Sequence, residues 1–247
     1  MKKLLILLLL FDLLAGAEGT LLFYCGATMV QPMRMIARIY RDRYHRSVQI
    51  LQGGSGDLYR RLTTLKRGDL YLPGSRQYLQ KGEGDDLFPY RKVIGVNRLA
   101  ILVAEGNPLG IHTLDDLLRP GIRLAIGAAD LGSIGRITRE VLTRYGGKNF
   151  YRKIQNNAMY FVTDSRELAR LIEEGIVDAG ISWKATAFFP DDRDRIDAVD
   201  LPEALSSPRL LELATLRYSR DPEGAKEFVD LAASPQGRKI MTEYGFR

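Results

Sequence analysis

"TLLFYCGATMVQPMRMIARIYRDRYHRSVQILQGGSGDLYRRLTTLKRGDLYLPGS", residues 20–75, decides the fold. "TLLFYCGA" is a short apolar run bounded by small residues, which reads as a buried strand. Residues 29–44 then place Met33, Ile36, Ala37 and Tyr40 at helical spacing. "VQIL" (48–51) is a second strand, Leu58, Leu62 and Leu65 define a second helix, and "DLYLPG" (69–74) is a third strand. The order β-α-β-α-β implies a parallel sheet with helices on its faces.

Working outward, the same alternation returns between about residues 100 and 190. "RLAILVA" (98–104), "IRLAIG" (122–127), "MYFV" (159–162) and "DAGISW" (178–183) read as strands. Between them a helix over 134–145 carries Ile134, Ile137, Val141, Leu142 and Tyr145 and stops at Gly146, and another spans 165–174. Thr113 reads as the cap of a short helix. "LATLRYS" (213–219) reads as a further strand, and Asp221-Pro222 and Ser234-Pro235 as cap-then-proline helix starts, with Gly245 as the last helix stop. The fold class expected is α/β: two lobes, each a mostly parallel sheet flanked by helices. The chain crosses between them near Val93 to Ala100 and again near Asp197 to Leu201. Lobe one comprises 20–97 plus 202–247, and lobe two 98–201.

The N-terminus addresses the compartment. Lys2 and Lys3 precede the apolar run Leu4 to Phe11, and "AGA" at Ala15 to Ala17 supplies a small-residue cleavage site. This reads as a signal peptide over 1–17, too short and too interrupted by Asp12 for a spanning helix, and it implies a periplasmic protein. Tyr24 before Cys25 argues against lipid attachment, so this lone cysteine reads as a small core residue. Removing Lys2, Lys3 and Asp12 takes the net charge from +6 to +5. Acidic residues are interleaved with the basic ones, so the basic excess reads as solvated faces that weakly favour anionic ligands, with no nucleic acid as partner.

Four strand-to-helix junctions carry the functional signal. They are "CGATMVQ", with Thr28 and Gln31 in a capping-box spacing; "GGSGDL", with Ser55 among glycines; "GAADLGSIGR", with Ser133; and "VTDSRE", with Asp164 or Ser165 as cap and Glu167 behind. Ligands of open α/β sheets bind beyond the carboxyl ends of the strands, where helix N-termini present unpaired N–H groups and partial positive charge. Four such junctions facing one cleft would hold a small dianion, with the hydroxyls of Thr28, Ser55, Ser133 and Ser165 as added donors. Taken singly, each also fits an ordinary helix cap, worth about 1 kcal/mol. A nucleophilic role for Ser55 is disfavoured, because Asp57 breaks the G-x-S-x-G pattern and neither His45 nor His112 is placed as its base. Two histidines and one cysteine leave no zinc site. No enzyme activity, metal or cofactor is expected.

The chain resembles the type II periplasmic solute-binding proteins, and among them the molybdate-binding branch. "LLFYCGATMVQPMRMIARIYRDRY", "VQILQGGSGDLYRRLTTLKRGDLYLPGS" and "SPQGRKIMTEYGF" carry the likeness. It implies a ligand cleft with contacts at Thr28 and Ser55, a backbone-donating loop at Gly132 to Gly135, a contact at Ser165, and Trp183 where the family has a tyrosine. Trp183 departs from that pattern, since an indole offers one N–H where a phenol offers a hydroxyl; core packing accounts for it equally well. Arg136, Arg166 and Lys184 adjoin these positions and either face the cleft or sit on a solvated rim. The resemblance further implies lobe closure on a small oxyanion, delivery to an ABC permease and a monomer. The alternatives are a ligand-binding partner of a sensor kinase, or an adhesin-like binder of a small organic acid.

Overall fold

The computed structural model describes residues 19–129 and 133–247. The signal-peptide reading of 1–17 lies outside them. The first sheet is built from β1 (Thr20–Gly26), β2 (Ser47–Gly53), β3 (Leu70–Leu72), β4 (Arg91–Asn97) and β10 (Arg209–Thr215), in the order β2-β1-β3-β10-β4. The second contains β5 (Leu99–Ala104), β6 (Leu124–Gly127), β7 (Ala158–Val162), β8 (Ala179–Trp183) and β9 (Ile196–Asp200), in the order β7-β6-β8-β5-β9. Helices α1 (Val30–Tyr44) and α2 (Ser55–Leu65) flank the first sheet, α3 (Ser133–Asn157) and α4 (Ser165–Glu173) the second. Two more, α5 (Pro222–Ala233) and α6 (Pro235–Glu243), return to the first. The two-lobe α/β class is as the sequence implies, and Asp221 and Ser234 cap α5 and α6 through their side chains.

The sheets are mixed rather than mostly parallel. In the first, β1 pairs parallel with β2 and β3, while β10 runs antiparallel to β3 and β4. In the second, β6 pairs parallel with β7 and β8, while β5 runs antiparallel to β8 and β9. The chain leaves the first sheet at Asn97 and enters the second at Leu99, a crossing of a single residue. A strand that ends one sheet and one that begins the other therefore meet head to tail, and Asn97 sits at their join. The strand read at 213–219 lies at 209–215 instead. Asp69 ends it: its carboxylate accepts from Ser219 Oγ (2.6 Å) and from the Arg220 amide (3.2 Å), turning the chain away from the sheet.

Packing follows the apolar faces. On α1, Val30, Met33, Ile36 and Tyr40 are buried against the sheet. Phe228 of α5 meets Phe23 and Tyr40 edge-on, with ring centroids 5.6 and 5.2 Å apart. Cys25 is fully buried in this layer and burial raises its thiol pKa, as a structural cysteine requires. Beyond β8 the 3-10 turn Lys184–Phe188 crosses back, and Ala185 and Phe189 enter the core of the first lobe beside Tyr244 and Phe246. The lobes thus share an apolar seam. No helix among the described residues is long and apolar enough to cross a membrane.

Candidate functional site

A cavity of about 310 Å3 lies between the lobes, at the carboxyl ends of β1, β2, β7 and β8 and the start of α3. Lobe one contributes Gly26 to Met29, Gln52 to Ser55, Asp57 and Gly74; lobe two contributes Ile134, Thr163 to Ser165 and Trp183. Four sequence-predicted residues, Thr28, Ser55, Ser165 and Trp183, therefore line one cavity, two from each lobe. The fifth, Ser133, opens α3; its side chain and Gly132 lie outside the described residues, and Ile134 beside it lines the cavity.

The hydroxyls of Thr28, Ser55 and Ser165 are not helix caps. Gly54 precedes α2 without any side-chain cap, and Ser55 is already its first residue. The Ser55 Oγ instead accepts from the Gly74 amide at 2.9 Å, leaving its own proton free to give. Its carbonyl accepts from the Tyr71 hydroxyl at 2.8 Å. Burial pushes that phenol's pKa up, so it stays a donor. Thr28 lies in the uncapped turn Ala27–Met29 ahead of α1. Its expected capping box is absent, because Gln31 turns away to Asp191, 3.5 Å off in the 189–192 loop. At α4 the cap is Asp164, which accepts from the Arg166 and Glu167 amides at 2.8 and 3.1 Å. Glu167 answers with the Thr163 amide at 2.8 Å. Ser165 is buried, and its hydroxyl has no partner among the described residues.

The first-turn amides of a helix have no intrahelical partner. In lobe one neither the Ala27–Met29 turn, whose end ties the Val30 amide to the Ala27 carbonyl, nor the start of α2 has a side-chain cap, whereas Asp164 uses two of α4's amides. The helix starts without a side-chain cap on lobe one therefore face Ser165, Trp183 and the start of α3 on lobe two. Trp183 is both core and cleft: it is 3% exposed, packs among Leu99 and Ile181, and still lines the cavity.

Two polar lining residues stand outside the four junctions read from the sequence. Asn97, buried at the lobe crossing, accepts from the Arg98 amide through Oδ1 at 3.0 Å, which commits its Nδ2 as a donor. Gln52 ends β2, where the same strand-end rule that pointed to Ser55 would have found it.

The three cations are also placed, and none lines the cavity. Lys184 pairs with Asp200 (2.6 Å). Arg166 spans Asp191 and Asp192 (3.8 Å each) and lies over the Phe189 ring. Arg136 reaches across to Ser75 of lobe one at 3.4 Å.

Asp192 is buried against Glu173 and shares a hydrogen bond with it. Desolvation first, then that bond, raises its pKa to about 6, against the pull of Arg166. In the window from about 4 to 6 the native carboxyl keeps a proton that the unfolded chain has lost. Stability is therefore expected to fall as pH rises through that window and to level off above it. Asp192→Asn should flatten the dependence and raise the melting temperature at neutral pH, which a pH series of thermal melts would check.

Residues 21–247 match the bacterial extracellular solute-binding protein family. The chain belongs to that family. It is a binding protein of the ABC-transporter type, not an enzyme. The molybdate-binding protein ModA of Mycobacterium tuberculosis is 23% identical over 201 residues, covering 81% of this chain and 73% of its own. Among solved structures, the sulfate-binding protein SubI of the same organism superposes with a TM-score of 0.79 at 19% identity, covering 93% of this chain and 87% of its own. PEB3 of Campylobacter jejuni with L-phospholactate bound superposes at 0.73 and 21% identity, covering 92% and 99%. Solved proteins that share this fold thus take different anions, sulfate in SubI and L-phospholactate in PEB3.

Proposed function

We propose that this solute-binding protein captures a small tetrahedral oxyanion, of the molybdate, tungstate or sulfate kind, and delivers it to an ABC permease in the periplasm. One observation carries the reading. Two uncapped helix starts, at Ala27–Met29 and Ser55, open into a cleft whose wall has donors but no lysine or arginine among the described residues. Neutral donors fixed by the backbone suit an ion that keeps its charge at every physiological pH. The cavity would hold about ten waters at roughly 30 Å3 each. A five-atom anion fills only part of it, so capture requires the lobes to close about the Asn97–Leu99 crossing. Contacts from Ser165 and Trp183, gained only on closure, would stabilise the closed state.

A second reading, a binder of a small organic acid serving a sensor kinase or adhesion, has its own support. Asp57 and Asp164 line the same cavity from the two lobes, and a carboxylate there suits a ligand hydroxyl better than a bare dianion.

Trp183 is the chain's only tryptophan, so its emission reports the cleft directly. Titration with molybdate, tungstate, sulfate, phosphate and citrate at fixed ionic strength is expected to give a saturable change with one or two tetrahedral dianions. Those same ions should raise stability by about 2.7 kcal/mol at a hundred times the dissociation constant. A response to citrate alone would establish the second reading, and silence toward every anion would overturn both.

A further inference from the structure

The charge of this protein is not evenly spread. Helix α3 holds six cations and the single acid Glu140, a net of +5 within 25 residues, against +6 for the whole chain. Several basic residues elsewhere sit beside acids: Asp57 with Arg60, Arg170 with Glu174, Arg123 with Asp178. Like charges at helical spacing cost stability, so the concentration on α3 has no return within the fold.

Its shape gives it one. Gly146 and Gly147 (φ +76°) break α3, and the two half-helices meet as the walls of a groove of about 730 Å3, larger than the cleft. Arg136, Arg139, Arg144, Lys148 and Arg152 line it. Among the described residues the one carboxylate lining it is Glu140, which pairs with Arg144 (2.9 Å) and with Arg209 of β10 (3.2 Å), so the lining holds five cations to one acid. Four of the five cations are arginines, whose planar forks grip phosphate oxygens two at a time. A concave site with cations on opposite walls fits a compact ligand rather than a flat membrane.

We propose that this groove is a second binding site, separate from the cleft, for a compact ligand carrying two or more phosphate groups. Titration calorimetry with inorganic tripolyphosphate provides the test, on the wild type, on Ser55→Ala and on the combined Arg144→Ala, Lys148→Ala, Arg152→Ala variant. Wild type and Ser55→Ala are expected to bind alike, with an affinity that falls steeply as salt rises. The triple variant should lose at least tenfold while keeping its melting temperature and Trp183 emission; Lys148→Glu alone should lose in the same direction. Sedimentation with phosphatidylcholine vesicles, with and without phosphatidylglycerol, separates the sources. Tripolyphosphate binding without phosphatidylglycerol-dependent sedimentation supports the compact ligand, whereas sedimentation that the triple variant abolishes would mean that a membrane surface is what the groove takes and would overturn it. Equal binding by the triple variant, loss in Ser55→Ala only, or sedimentation without tripolyphosphate binding would each overturn the proposal.

Discussion

Ser55→Ala is expected to weaken capture of the tetrahedral anion by roughly ten- to a hundredfold. The Oγ occupies its acceptor side with the Gly74 amide and has one proton left, directed at the cleft. A hydrogen bond to a charged partner is worth about 1.5–3 kcal/mol, and every 1.4 kcal/mol is a factor of ten. The same change leaves the Gly74 N–H unpaired, so a small stability loss of about 1 kcal/mol accompanies it. Thr28→Ala should lose affinity in the same range without that stability cost, because its hydroxyl has no partner among the described residues to abandon. Thr113→Ala serves as the control. That hydroxyl is tied to Asp116 on the far side of lobe two (2.9 Å), so affinity should not move. Titration of Trp183 emission reads all three. Affinities within twofold of wild type for both Ser55→Ala and Thr28→Ala would mean that backbone amides alone hold the ion and the hydroxyls are incidental.

Much of this site was legible because two regularities coincide in the sequence. Period-2 and period-3.6 apolar patterns place β1, α1, β2 and α2, and small or hydroxyl residues at their junctions place Thr28 and Ser55. What stayed hidden has physical reasons. Strands β4 and β9 were read as crossovers because each is the outer strand of its sheet. An edge strand meets a partner on one side only, so "RKVIGVN" and "IDAVD" carry charges where an inner strand carries aliphatics. The second half of α3 was missed because Gly146-Gly147 looks like a stop. The glycines do break the helix, but Phe150, Tyr151 and Ile154 recover an apolar face and the helix restarts to cover lobe two. That omission also concealed the basic groove, since two of its five cations, Lys148 and Arg152, lie beyond the break. Asn97 gave no signal at all: its importance comes from standing where the chain passes between sheets, which no local pattern encodes.

Gly135→Ala should be the most damaging single-methyl change at the cleft, and the reason decides between two opposed effects. Inside a helix, alanine ordinarily gains up to about 1 kcal/mol over glycine. At Gly135, however, a Cβ would stand 2.0 Å from the Ala128 carbonyl oxygen and 2.3 Å from its carbon. Gly127 at the end of β6 meets the Gly135 backbone just as closely from the other side, with a Cβ there 2.6 Å from its nitrogen. These are main-chain atoms that cannot rotate aside, so the helix start itself must move. Overpacking of this kind costs about 1–3 kcal/mol, which exceeds the propensity gain and should lower the melting temperature by about 2–4 °C per kcal/mol. The displacement also carries Ile134 and the first-turn amides of α3 away from the cleft, so anion affinity should fall together with stability. Gly84→Ala gives the comparison. Nothing lies within 4 Å of a Cβ there, and its effect should stay within about 0.5 kcal/mol. If Gly135→Ala melted and bound like Gly84→Ala, the contact between β6 and α3 would have slack, and the glycine pair would not be what sets the position of the third helix start at the cleft.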